Sequence, residues 1–280
     1  MIVWFDGSIR PSSAGLVDAL DHGLTVGDGV FETCELRQGQ VFALTRHLHR
    51  LHRSATGLGL KAPQEQQVRE AVEAVAQEWR RTRGEEELGR LRITWTDGPG
   101  PLGSERLETP GTLVVAAAPG KAPGPVRVRV VPWTRNERSA VAGLKTTSYA
   151  ENARALAYAA EQGDGEAIFA NTRGELCEGT GTNIFLESDG VLITPRLESG
   201  CLAGITRALV LEWAGDYGIE VREETLPLSA LHEAQHAALT SSTRGLVPVV
   251  AVDRRELHPG PATSMLGREF TARSVQQIDP

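Results

Sequence analysis

The chain has very little lysine. Among its 29 lysines plus arginines, only Lys61, Lys121 and Lys145 are lysines. Cysteine is also scarce. Cys34, Cys177 and Cys201 are odd in number and far apart, which argues against a disulfide framework or a cysteine metal pattern and reads as a reduced, cytosolic protein. No run approaches the roughly 20 apolar residues of a membrane span. No basic tract points to nucleic acid. The opening Met1-Ile2-Val3-Trp4-Phe5-Asp6-Gly7 lacks a basic segment followed by a long apolar one, so it does not read as a signal peptide. Internal repeats and low-complexity tracts are absent. The remainder is an ordinary soluble composition, with net charge −7 and 40% hydrophobic residues, and 280 residues suffice for two domains.

Lys61 and Lys121 lie near prolines in loop-like stretches. Lys145 alone sits between a strand-like run and a helix-like one. Lysine can lose its proton, attack a carbonyl and form a Schiff base, whereas arginine stays protonated. A lysine retained in an arginine-rich chain is therefore a candidate nucleophile; the competing reading is an ordinary surface lysine.

Apolar spacing predicts an α+β protein. Strands are expected over residues 2–5, 41–44, 88–95 and 112–118, and 24–36 reads as a glycine-rich bend running into an alternating strand, with a hairpin turn at Arg37-Gln38-Gly39-Gln40. A helix capped by Thr45 carries Leu48, Leu51, Ala55 and Leu58, and a second runs from Pro63 to Trp79. Pro119-Gly120-Lys121-Ala122-Pro123-Gly124-Pro125 reads as a linker. The expected organisation is a small domain over 1–118, a linker over 119–125 and a larger domain over 126–280. In the larger domain, helices are expected over 149–162, 206–217, 228–234 and 260–277. Short strands are expected near 126–131, 167–170, 183–186, 191–194, 219–221, 237–240 and 247–252.

Several stretches carry chemistry. Gly204-Ile205-Thr206 precedes a helix, so its N–H groups and the Thr206 hydroxyl can hold a phosphate, or Thr206 can be a plain N-cap. Ser241-Ser242-Thr243 offers hydroxyls after a strand or simply makes a turn. Glu178, between apolar residues and a small-residue turn, would need a cationic partner if buried. Arg50 is either solvated or an anion ligand. His47, His49 and His52 lack a carboxylate or cysteine at ligand spacing, so no metal is expected. Period-two alternation puts Arg90, Arg92 and Thr94 on one strand face, facing either a substrate carboxylate or solvent.

Taken in order, these stretches resemble the fold-type IV (class IV) pyridoxal-phosphate enzymes. That family includes branched-chain aminotransferases, D-amino acid aminotransferases and 4-amino-4-deoxychorismate lyases. The resemblance runs from His22-Gly23-Leu24-Thr25-Val26-Gly27-Asp28-Gly29-Val30-Phe31-Glu32-Thr33 through His47-Leu48-His49-Arg50-Leu51 and Ala142-Gly143-Leu144-Lys145. It ends in Leu239-Thr240-Ser241-Ser242-Thr243 with Val247-Pro248-Val249. It implies a two-domain α+β fold with a β-barrel-like core in the larger domain. It also implies pyridoxal 5'-phosphate, a small-molecule amine substrate and a homodimer, and the cysteine usage above gives the cytoplasmic location. Residue by residue, it makes Lys145 the Schiff-base lysine and Glu178 the carboxylate facing the pyridine nitrogen. Arg50, Ile205, Thr206 and Ser242 become phosphate ligands, and Thr182 and Asn183 border the ring. Tyr149 lies near the tyrosine that some members place against the cofactor oxygen, one residue short of the branched-chain spacing. Arg135-Asn136 ahead of Ala-Gly-Leu-Lys most resembles the lyases. The leading expectation is therefore 4-amino-4-deoxychorismate lyase, which releases pyruvate and forms the folate precursor 4-aminobenzoate. A class IV aminotransferase for D-amino acids, branched-chain amino acids or amines comes second, and a non-catalytic binding protein on the same fold third.

Overall fold

A computed structural model describes all of residues 1–280, in two compact units. The first comprises Met1–Ala122, Leu144–Tyr149 and Gln277–Pro280. Its elements are β1 (Ile2–Phe5), β2 (Ser8–Arg10), α1 (His22–Thr25), β3 (Gly29–Arg37), β4 (Gln40–Val41), α2 (Leu44–Leu58), α3 (Glu65–Arg83), β5 (Gly89–Thr96) and β6 (Thr112–Pro119). The strands form one sheet in the order β2-β1-β6-β5-β3-β4.

Period-two alternation sets which side of this sheet is core. Leu91, Ile93 and Trp95 of β5 join Val30, Cys34 and Leu36 of β3 beneath the sheet. Leu48, Leu51 and Ala55 of α2 and Val68, Val72, Val75 and Trp79 of α3 close over them at helical spacing. Arg90, Arg92 and Thr94 are thereby turned to the opposite face. The β3–β4 turn uses Gln38 and Gly39, both at positive φ (48° and 67°), the left-handed geometry of a tight hairpin that glycine adopts without strain.

Thr45 is not the cap of α2, contrary to the spacing. The helix begins at Leu44, Ala43 occupies the cap in left-handed backbone, and no side chain caps it. Asp279, from the far end of the chain, instead accepts from the Thr45 N–H (2.9 Å) and hydroxyl (2.6 Å). A partner 234 residues away cannot be read from local spacing.

The second unit comprises Pro123–Gly143 and Ala150–Gln276. It contains β7 (Val126–Arg135), α4 (Ala150–Glu161), β8 (Glu166–Asn171), β9 (Leu176–Gly179), β10 (Asn183–Ser188), β11 (Val191–Pro195), α5 (Ile205–Trp213), β12 (Val221–Glu224), α6 (Ser229–Glu233), β13 (His236–Ser241), β14 (Gly245–Val252), β15 (Arg255–Glu256) and α7 (Pro261–Gln276). The sheet order is β12-β11-β10-β13-β14-β7-β8-β9, with β15 on β14. Short apolar runs buried on both sides, such as Ala167-Ile168-Phe169, give its central strands. Helix α5 stops at Trp213 and tightens into a 3-10 turn over Ala214–Tyr217, ahead of Gly218 at φ 69°.

The units divide at Ala122/Pro123, within the 119–125 stretch. Residues 144–149 group with the first unit, not with the 126–280 segment that contains them in sequence. The cause is strand-like pairing: Val30 bridges Thr146, and the Phe31 N–H donates to the Lys145 carbonyl at 2.9 Å.

Candidate active site

Lys145 is held on the open edge of β3 by its own backbone. Its carbonyl accepts from Phe31 and its N–H donates to the Ser54 hydroxyl of α2 at 3.2 Å. The Thr147 N–H donates to the Gly29 carbonyl and the Thr147 hydroxyl to that of Gly27. The main chain is thus pinned on both sides of Lys145. Its Nζ lies 4.4 Å from the centre of the Phe31 ring.

Phe31 gathers the other candidates of this unit. The Arg92 guanidinium carbon is 3.7 Å from the ring centre, and Tyr149 meets the ring edge-on at 5.2 Å. Arg92 Nε donates to the Thr94 hydroxyl at 3.1 Å. Lys145, Tyr149, Arg92 and Thr94 thus converge on one aromatic side chain. Arg90 lies one step further along the same face, opposite Glu35 in register. In the sequence Phe31 is one apolar residue of a strand-like run, with nothing local to mark it.

Arg50 is buried beneath β3. Its Nε and Nη2 each donate to Glu32 at 2.7 Å, edge to edge, and His47 Nδ1 reaches the same carboxylate at 2.7 Å. Burial pushes the Glu32 carboxyl up, but the Arg50 charge and the hydrogen bonds of Arg50 and His47 outweigh it. The carboxyl is held well below its usual range. Burial dominates at His47 and lowers its pKa, against the Glu32 bond and charge. Glu32 went unnoticed in the sequence. The available signal was a carboxylate at a core-facing position between Val30 and Cys34, where burial demands a cation.

In the second unit, Glu178 lies in β9, not in a turn, opposite Phe169 of β8. The Leu202 N–H donates to its Oε2 at 2.9 Å, and Arg135 Nε stands 3.6 Å from its Oε1. The following loop is tied down by Glu166, which accepts from the Thr180 N–H (3.1 Å), the Thr180 hydroxyl and the Thr182 hydroxyl (3.3 Å). Asn183 joins three elements. It pairs with Thr240 of β13, its Nδ2 donates to the Leu202 carbonyl at 2.9 Å, and its Oδ1 lies against Gly204. A Cβ on Gly204 would sit 2.0 Å from that oxygen, so a side chain there would force Asn183 to shift.

Helix α5 starts immediately after Gly204, which has no side chain to cap it, and Thr206 is the second helical residue, not the N-cap. The N–H groups of Ile205 and Thr206 thus lie in the first turn, at the positive end of the helix, where an anion is favoured. Thr240, in register with Asn183, has a buried hydroxyl without a hydrogen-bond partner. Ser242 lies in the β13–β14 turn that follows.

A profile of the family described as amino-transferase class IV matches residues 29–252. The chain belongs to the class IV aminotransferase family. It is 30% identical to a putative branched-chain-amino-acid aminotransferase of Methanocaldococcus jannaschii, over 96% of this chain and 95% of that one. It is also 30% identical to a bifunctional aminodeoxychorismate lyase / D-amino acid transaminase of Mycobacterium tuberculosis, over 98% and 99%. A PLP-bound hypothetical aminotransferase from Mycobacterium tuberculosis superposes with a TM-score of 0.88 at 28% identity, covering 99% of this chain and all of that one.

The fold is therefore the two-domain, fold-type IV arrangement, and the cofactor is pyridoxal 5'-phosphate. The residues present fit that group. A helix N-terminus without a side-chain cap and an unpartnered buried hydroxyl suit a phosphate. A carboxylate flanked by apolar Leu176 and Cys177 suits a protonated ring nitrogen. The chain is a class IV enzyme whose relatives carry both aminotransferase and lyase names.

Proposed function

We propose that the chain is a 4-amino-4-deoxychorismate lyase, which uses Lys145 as its base and Arg92 to bind the substrate carboxylate. The observation that carries this reading is the pair of cations around Phe31, the Lys145 amine at 4.4 Å and the Arg92 guanidinium at 3.7 Å. An amine-reactive lysine beside a carboxylate-binding arginine suits a substrate bearing both an amino group and a carboxylate.

When bound, pyridoxal phosphate supplies an aldehyde that condenses with amines and a protonated ring that withdraws electrons from the substrate. Glu178 is assigned to hold that ring nitrogen protonated. Ile205, Thr206 and Ser242 are assigned to the phosphate, and Thr182 and Asn183 to the border of the ring. Arg50 is a further phosphate ligand in this reading, and Glu32 engages its Nε–Nη2 edge. Tyr149, edge-on to Phe31, is assigned to the cofactor side of the site. Arg92 then orients the carboxylate, with Arg90 and Thr94 on the same face. Lys145 Nζ removes the ring proton, and the bond from the ring carbon to the enolpyruvyl oxygen breaks. Its electron pair leaves with that oxygen. Protonation of the released enolate at its methylene carbon yields pyruvate, and the substrate ring becomes aromatic 4-aminobenzoate. The family resemblance also supports a homodimer, and the scarce, unpaired cysteines support a cytosolic location.

D-amino acid transamination is the second reading, favoured by the bifunctional relative that matches this chain end to end. In that reading Lys145 removes the α-proton of the amino acid, and the amino group passes to the cofactor. Purified enzyme given aminodeoxychorismate and no keto acid should release pyruvate in step with 4-aminobenzoate. Turnover that appears only with a keto-acid acceptor would replace the lyase with the aminotransferase.

A further inference from the structure

Arg135 resembled a lyase signature in the sequence, yet its side chain is spent inside the second unit, on Glu178. We infer that Arg135 is a positioning residue that holds Glu178 ionised and aimed, and that the first turn of α4 sets how strongly it does so. The inference rests on the reading of Glu178 as the partner of the cofactor ring nitrogen.

Three strands bring the two residues together. Arg135, at the end of β7, pairs with Asn171 of β8, and Phe169 of β8 pairs with Glu178 of β9. The Arg135 guanidinium crosses the intervening strand over the Phe169 ring, 4.4 Å from its centre. There its Nε is buried, makes no hydrogen bond and stands 3.6 Å from Glu178 Oε1. That separation is too long for a hydrogen bond and short for an ion pair, so Arg135 acts on Glu178 mainly through its charge. A cation at this range from a largely buried carboxylate favours the carboxylate over the acid.

Arg135 is also held back. Its Nη1 donates to Glu151 and to Asn152 Oδ1 (2.9 Å), both in the first turn of α4. Asn152 in turn donates through Nδ2 to the Thr180 carbonyl at 2.5 Å, two residues beyond Glu178. One asparagine therefore fixes both the arginine and the loop that carries the carboxylate. Glu151 shares the arginine's charge with Glu178 and moderates it.

The test follows the visible absorbance of the bound cofactor, and its retention on a desalting column, as pH is lowered. Ionised Glu178 is required for retention, so weakening its ion pair moves the release midpoint up. Arg135→Gln should raise that midpoint by about one pH unit or more, and Arg135→Lys should restore most of it. In a Glu178→Gln background, Arg135→Gln should produce no further shift. Glu151 is half-exposed, so Glu151→Gln should fold, and it should move the midpoint down by releasing Arg135 toward Glu178. An unchanged midpoint in both Arg135→Gln and Glu151→Gln would overturn the inference. So would an equal shift in the Glu178→Gln background, which would mark a purely structural effect. If Glu178→Gln alone leaves the spectrum and retention of the wild type, the reading of Glu178 itself fails. If Glu178→Gln alters them and the Arg135 variants do not, only the role of Arg135 fails.

Discussion

The Arg50 guanidinium and the Glu32 carboxylate meet edge to edge, with two 2.7 Å hydrogen bonds and almost no solvent around either side chain. His47 donates to the same carboxylate. Removing one partner leaves a buried charge without compensation, so Glu32→Gln should lose roughly 3–5 kcal/mol in urea unfolding. A loss near zero would show that the pair is not buried as described. The pH dependence follows from the depressed Glu32 pKa. The unfolded chain binds the proton first, near the ordinary glutamate value of about 4.3, while the folded chain stays ionised. The contribution of Glu32 is therefore present above that pH and lost as pH falls below it. Glu32→Gln should lack this part of the acid slope.

Asp279 serves as a cap supplied from the other end of the chain. Asp279→Ala removes both hydrogen bonds to Thr45 and a negative charge at the start of α2. The expected loss is roughly 0.5–2 kcal/mol in denaturant unfolding. Unchanged stability would mean that water satisfies the first turn equally well.

Borohydride should lock the cofactor onto Lys145. Wild-type enzyme treated with the reductant should gain the mass of one cofactor on the peptide containing Lys145. Lys145→Ala should gain none. Label on Lys61 or Lys121 instead would remove Lys145 from its assigned role.

Arg92 and Arg90 share a strand face, but only Arg92 is placed against Phe31. Arg92→Met should lower kcat/KM about tenfold to a hundredfold, the range of a lost hydrogen bond to a charged group. The loss should fall mainly on KM. Arg90→Met should change kcat/KM by less than about threefold on the same reasoning. The reverse ranking would assign the carboxylate to Arg90.

Gly204 leaves room for Asn183 and presents the start of α5. Gly204→Ala forces Asn183 Oδ1 to move and should weaken pyridoxal phosphate binding at least about tenfold, the cost of one good charge-assisted contact. Pyridoxal, which lacks the phosphate, should lose little. Equal losses for both ligands would place the damage away from the phosphate.

The local patterns carried much of this protein. Alternation along β5 told Leu91, Ile93 and Trp95 from Arg90, Arg92 and Thr94 before any coordinates, because a strand turns successive side chains to opposite faces. The helices α2 and α3 followed from three-to-four spacing of their apolar residues. Lys145 stood out because lysine is scarce and its chemistry is distinct. The family followed from the order of motifs along the chain. Phe31 did not stand out, since an aromatic residue in an apolar strand is ordinarily core.

What the sequence determined by itself was therefore most of the longer helices and strands, the class of chemistry and the chemical candidates, all of which depend on residue type and short-range period. What the tertiary structure decided was partnership. Arg50 meets Glu32, Thr45 meets Asp279, Arg135 meets Glu178, and residues 144–149 join β3. Each of these depends on segments far apart in the chain brought within a few ångströms by sheet order and strand pairing. Ionic and hydrogen-bond energies are decided at that range, and spacing along the chain carries no record of it.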